Sequence, residues 1–223
     1  MSSPPTKQDS DLWQSKAMAF VTRSHRHLWG KNNEDPLAFL FQCGLKNRFA
    51  KQMLLGWNKF GQYRPRKNWG LESRPCHSSG PDSDRLFLPP GIVIPSIIKK
   101  NLVAVFIVPY EGDSPAVWVA GSKTPTMVLG DLSGPVIVTD DPFYGLFIFQ
   151  ETGEKTGVIV HPVPDLPLDG KLEEEIRQHT EWPVFLPPHT REKLKKTGFK
   201  QIPKGRIQVY RNKEEMLSLI GLC

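Results

Sequence analysis

The residues Val136-Ile-Val-Thr-Asp-Asp-Pro-Phe-Tyr-Gly-Leu-Phe-Ile-Phe-Gln-Glu-Thr-Gly153 read as a buried strand, an acidic turn and an apolar helix closed by glycine. The alternation continues to the C-terminus. Strand 135–138, helix 143–151, strand 157–160, helix 171–179, strand 184–186, basic helix 190–197 and strand 207–210 follow in order, with a short helix over 214–222. Parallel neighbours need a crossover long enough to hold a helix. This order therefore commits residues 133–223 to an α/β domain with a parallel sheet.

The rest of the chain has a different style. Residues 1–10 are polar and Pro-rich and read as a disordered tail. Helical spacing of Leu12, Trp13, Ala17, Ala19, Phe20, Val21 and Leu28 predicts a helix over 11–30 with Asp11 as cap. Pro36 at a first-turn position, behind Asp35, opens a helix through Gln42 that Gly44 ends. A third helix over 46–55 is closed by Gly56. Residues 11–60 thus form a helical subdomain. Glycines and prolines make 57–85 irregular. Strands 85–88, 91–95, 102–108 and 116–120 then predict an antiparallel meander, with Lys99-Lys-Asn101 turning between the second and third. Residues 61–132 form this loop and β region, and the whole is α+β.

Charge divides the chain unevenly. Residues 1–72 carry 12 Lys/Arg against 5 Asp/Glu (net +7), 73–188 carry 8 against 15 (net −7), and 189–223 carry 9 against 3 (net +6). Two basic ends flank an acidic middle. Clustered cations can neutralise phosphates, or can be no more than solvated helix faces. No run approaches the length of a membrane-spanning helix, and the N-terminus lacks the apolar core of a signal peptide. A cytoplasmic protein without membrane contact is expected.

Most familiar chemistries find no support. There is no nucleophile elbow, phosphate loop or dinucleotide fingerprint. Cys43 falls in an apolar helix, where a small core residue suffices. The three cysteines form no pair, and Cys76-His77 lacks a second pair to complete a zinc site. His25 and His27 cannot share a helix face, and His161 follows a strand that it can cap. Gly121-Ser-Lys123 could hold an anion through backbone amides. Tyr63-Arg-Pro-Arg-Lys-Asn-Trp69 interleaves cations with aromatics, which suits backbone phosphates plus stacked bases and equally suits a loop pinned by two aromatic anchors.

The acidic turn remains. Asp140 and Asp141 end the first parallel strand, and Asp131 precedes it. A carboxylate past a strand's C-terminal end is well placed for a metal or a phosphate-bearing substrate. Mg²⁺ chemistry on phosphates needs two or more converging carboxylates. The natural second donor strand, Val184-Phe-Leu-Pro-Pro-His189, ends in none. The spacing also fits Asp140-Asp141 capping the helix that starts near Pro142.

Over residues 12–160 the sequence resembles the catalytic portion of bacterial-type DNA primases, especially the shorter primase-like proteins of mobile elements. The resemblance runs through Trp13 to Trp29, Cys43-Gly-Leu45, Leu55-Gly-Trp-Asn58, Arg64-Pro-Arg66 into Trp69-Gly-Leu71, Leu88-Pro-Pro-Gly-Ile-Val-Ile-Pro95, Val119-Ala-Gly-Ser122 and the unit ending Gln150-Glu-Thr-Gly153. The zinc finger that often precedes this region in such proteins is missing from this chain. The resemblance implies a Toprim-type fold over about 133–210. Toprim enzymes hold Mg²⁺ with a Glu after the first strand and an Asp-x-Asp after a later one. In this chain the Glu position is Asp140, a second acidic position is Tyr144, prolines and His189 stand for the Asp-x-Asp, and Val108 or Pro109 stands where an arginine is often found. Several catalytic features are altered together, which implies a degenerate metal site.

Three functions follow as expectations. The first is a primase-like, catalytically inactive protein that binds single-stranded DNA or RNA, or a replication protein, and serves replication or mobile-element maintenance without a cofactor. Its contacts would be Arg64, Arg66, Lys67, Trp69 and Lys123, with Arg191, Lys193, Lys195 and Lys196 secondary. The second is an active primase or Toprim nuclease using Mg²⁺ at Asp140, Asp141 and Asp131. The third is a protein-interaction module that keeps only the fold.

Overall fold

The computed structural model describes residues 7–72, 84–110, 115–161, 174, 184–186, 207–209, 215 and 218. Helices α1 (Lys7–Leu28), α2 (Glu34–Gln42) and α3 (Asn47–Gln52) lead into strands β1 (Gly56–Asn58) and β2 (Gln62–Pro65) and a 3-10 turn (Arg66–Trp69). Strands β3 (Arg85–Leu88), β4 (Gly91–Ile98), β5 (Asn101–Val108), β6 (Val117–Trp118), β7 (Met127–Leu129) and β8 (Val136–Thr139) follow. Then come α4 (Pro142–Glu151), β9 (Gly157–Val160), β10 (Val184–Leu186) and β11 (Ile207–Val209). The chain divides into two compact units, residues 1–41 with 46–123 and residues 42–45 with 124–223.

In the first unit α1 lies on a four-stranded antiparallel sheet of order β1-β4-β5-β6. Trp13, Ala17, Phe20, Val21 and Leu28 form its buried face, one or two residues per turn. Four of them join Trp69, Leu88, Val93, Val105 and Ile107 in one core cluster. Each large side chain so buried contributes about 1.5–3 kcal/mol. The Trp13 indole N–H donates to the Ala120 carbonyl at 2.9 Å, which ties α1 to the chain after β6. Leu12 and Ala19, expected on the same apolar stripe, are exposed instead. Helix and sheet come close at Gly56, where an added Cβ would lie 2.6 Å from the Ser24 carbonyl carbon.

Several sequence expectations need correction here. Residues 7–10, read as part of a disordered tail, begin α1, and residues 56–58 of the expected helical subdomain 11–60 are strand β1. Residues 57–72 are not irregular, because they hold most of β1, all of β2 and the 3-10 turn. The four strands from 85 onward do not form a simple meander either. β3 pairs antiparallel with β2 as a separate two-stranded ribbon, while β4 takes β1 and β5 as neighbours. The expected Lys99-Lys100 turn is present, linking Ile98 to its partner Asn101.

The second unit is a five-stranded sheet of order β11-β10-β8-β9-β7. The parallel strands read from sequence are present in it, since β8, β9, β10 and β11 run parallel. The helix expected over 190–197, and all but Glu174 of that over 171–179, lie outside the described residues. The edge strand β7 was not foreseen, and it pairs antiparallel with β9. All residues of β8 and β9 are buried, as expected for parallel strands covered on their faces. α4 packs on them through Gly145, where a Cβ would collide with Val160. Residues 42–45 dock on α4. Gly44 adopts φ +79°, and a Cβ there would meet the Phe147 ring at 2.7 Å. The Gln150 amide donates to the Gly44 carbonyl at 3.1 Å. Glu174, Glu215 and Ser218 are helical, at positions where helices were expected.

Candidate nucleic-acid interface

The flank of α1 beside β2 and the 3-10 turn carries a groove of about 290 Å³. Lys16 and Arg23 line it from α1, Arg64 from β2 and Asn68 from the turn, with Phe20 and Trp69 also in its lining. Lys16 and Arg23 are seven residues apart, two helical turns, and so project from one side of the helix. Among the described residues no carboxylate is in the groove's lining. Arg23 and Arg64 share one acceptor, the Gln62 side-chain carbonyl, at 3.4 and 2.6 Å. Burial first, and then the neighbouring Arg64 charge, lower the Arg23 pKa. Two guanidinium groups around one neutral oxygen concentrate positive charge, which suits an anionic ligand.

The residues expected to touch nucleic acid fall in several places. Arg64 is half-buried in the groove wall. Trp69 is only 5 % exposed and meets Phe20 edge-on at 6.3 Å, so what it offers the groove is a rigid wall. Arg66 lies in the adjoining turn, and its Nε donates to the Glu72 carbonyl at 2.7 Å. Lys67 is exposed beside it. Lys123 is exposed after β6, its amide donating to the Val103 carbonyl at 2.7 Å, and it does not line this groove. Arg191, Lys193, Lys195 and Lys196 lie outside the described residues. Tyr63 and Phe87 stack across the β2–β3 ribbon at 4.8 Å with substantial exposure. Sequence reading missed Lys16 and Arg23, although their spacing on the polar side of α1 was available as a signal.

The acidic turn is built differently. Asp141 is the N-cap of α4 and accepts the Phe143 and Tyr144 amides at 2.8 and 3.2 Å. The Asp141 amide is held in turn by the Thr139 hydroxyl at 3.1 Å. Asp140 is half-buried just past β8. Asp131 is at the opposite end of the sheet, since a Cβ on Gly157, which pairs with Val136 at the start of β8, would touch the Asp131 carbonyl oxygen. Three strand residues separate that end from Thr139, roughly 10 Å. The Asp131 carboxylate accepts from the Ser133 amide and hydroxyl at 3.0 and 2.7 Å. The structure therefore brings Asp140 and Asp141 together and leaves Asp131 apart. Among the described residues no group of three His, Cys, Asp or Glu could hold a metal ion. With one carboxylate engaged as a helix cap, the described side chains do not fit a Mg²⁺ shell. His161, buried after β9, shares a hydrogen bond with the Thr126 hydroxyl at 3.0 Å.

No protein-family model matches the chain, and no curated protein matches it in sequence. Solved structures do match. One is the DnaG primase catalytic domain bound to ssDNA, with TM-score 0.65, 10% identity, and coverage of 96% of this chain and 78% of that one. A second is the RNA polymerase domain of Mycobacterium tuberculosis primase DnaG, with TM-score 0.64, 12% identity, and coverage of 98% and 81%. A third is the E. coli primase catalytic core, with TM-score 0.60, 9% identity, and coverage of 94% and 75%. The fold is that of a primase catalytic core. Helices, antiparallel sheets and a mixed sheet recur in the same arrangement, which agrees with the α+β class read from sequence. No helix among the described residues is long and apolar enough to cross a membrane.

Proposed function

We propose that the chain is a primase-like protein that binds single-stranded DNA or RNA along the α1 groove, has lost its metal chemistry, and serves DNA replication or mobile-element maintenance. The observation that carries this reading is the groove itself, with Lys16, Arg23 and Arg64 in its lining and no carboxylate among the described residues there. The primase fold supports it, as does the single-stranded DNA in one of the matching structures. On this reading residues 133–223 are a Toprim-like domain kept for its fold. Asp140 is then a remnant of a metal site, and Lys67, Arg66 and Lys123 are outlying phosphate contacts.

Salt dependence tests the groove. Each phosphate neutralised on a single strand adds about −0.7 to the slope of log K against log salt, so three groove cations contribute about −2. Arg23→Ala and Arg64→Ala should each flatten the slope by about 0.7 and weaken oligonucleotide binding. Unchanged slopes in both variants sink the proposed surface. Absence of binding at low salt would leave a protein partner as the ligand.

A further inference from the structure

The C-terminal end of α1 borders a second cavity, of about 400 Å³, that the groove does not include. Its size is that of a small-ligand site. Arg26 comes from α1, Lys31 from the loop after it, and Lys59 and Phe60 from the turn between β1 and β2. Trp57 also lines it. No Asp or Glu does. Two features bear on what the cavity could take. Phe60 is 68 % exposed, so a full aromatic ring is left to solvent at the rim. Trp57 is 6 % exposed, and its buried indole N–H has no hydrogen-bond partner among the described residues. Lys59 stands over both rings, 5.5 Å from Trp57 and 5.4 Å from Phe60.

The cavity and the groove are linked through one side chain. Gln62 lines the cavity, and its carbonyl oxygen is the acceptor that Arg23 and Arg64 share. The Gln62 amide is fixed by the Asn58 side chain, which donates in turn to the Leu88 carbonyl. The groove cations and the cavity lining therefore meet at Gln62.

We propose that this cavity takes one unstacked base of a bound single strand. The base lies on Phe60, and its flanking phosphate sits among Arg26, Lys31 and Lys59. This deepens the single-strand reading of the neighbouring groove and rests on it. The chemistry that fits this lining is a π-face joined to an anion. An aromatic platform is tolerant of sequence, because every base has a face to stack. A base held in a duplex stack could not enter, so the site also supplies a preference for single strands.

The test uses the full chain and an oligothymidine carrying either one 2-aminopurine or one abasic residue. Binding should unstack the 2-aminopurine and raise its fluorescence in the wild type. The same oligonucleotide should bind Phe60→Ala about tenfold more weakly, without the fluorescence rise. Phe60 and Lys59 are exposed, so neither change threatens the core, and a thermal melt checks this. Scanning the abasic residue along the strand should find one position that costs the wild type about tenfold and costs Phe60→Ala nothing further. Lys59→Ala should weaken binding of intact and abasic strands alike.

A strand that binds with the expected salt slope but loses nothing at any abasic position overturns the base pocket and leaves the groove standing. Equal 2-aminopurine signals in wild type and Phe60→Ala overturn it as well. If no strand binds at all, the groove reading and the base pocket fail together, and that outcome is distinct from the first two.

Discussion

The Asp141 carboxylate holds the first turn of α4 through two backbone amides and also bears on Cys43. Burial first, and the Asp141 charge second, push the Cys43 thiol up to about 11. Both causes disfavour the thiolate, so Cys43 is protonated and unreactive at neutral pH. Alkylation of Cys43 by iodoacetamide, followed site by site by mass spectrometry, should climb only as pH nears that value. Asp141→Asn should move the curve to lower pH while leaving it above the ordinary thiol value of about 8.5, because burial is the larger cause. A curve already centred near the ordinary value in the wild type would contradict the buried setting. The same variants separate a cap from a metal ligand. Asparagine caps as well as aspartate, so Asp141→Asn should keep stability within a few tenths of a kcal/mol, whereas Asp141→Ala should cost about 1 kcal/mol. Oligonucleotide binding should be the same in both.

At the level of elements, the β4–β5 hairpin turns on two lysines with positive φ, 50° at Lys99 and 69° at Lys100. A two-residue loop with both residues left-handed is the type I′ geometry, which favours Asn-Gly. A side chain in that region costs roughly 1–2 kcal/mol. Lys99→Asn with Lys100→Gly should therefore raise the denaturation midpoint by several degrees, about 2–4 °C per kcal/mol for a chain of this size. A lower midpoint would mean that the lysines make compensating contacts. The lysine pair was legible as a turn because apolar runs flank it on both sides. Other elements were not legible, for physical reasons. β1 and β7 are three residues each, too short to show a period. β2 ends in a proline that demotes it in any pattern reading. β1 earns its place by pairing with β4, more than thirty residues later, which no local window can encode. The parallel core of the second unit was legible because β8 and β9 are continuous apolar runs. The candidate interface was half legible. Arg64 sits in a visibly basic stretch, while Lys16 and Arg23 are scattered through α1 and meet it only after folding.

Across the whole molecule, charge follows the division into units. Residues 1–41 and 46–123 hold 17 Lys/Arg against 9 Asp/Glu (net +8), and the remainder holds 12 against 14 (net −2). The groove and the base cavity both belong to the positive unit. The acidic turn after β8 belongs to the other, where a phosphate strand gains nothing from the net charge. Affinity for single strands should then come from the first unit and owe nothing to divalent metal. An oligonucleotide carrying 4-thiothymidine, photo-crosslinked to the full chain, should mark peptides from residues 7–72, and the yield should be the same in Mg²⁺ and in EDTA. The double variant Arg23→Ala/Arg64→Ala should reduce those adducts severalfold. Adducts concentrated in residues 124–161 that disappear with EDTA would reverse the argument. They would mean that Asp140 holds a working metal, and that the basic flank of α1 is a solvated surface.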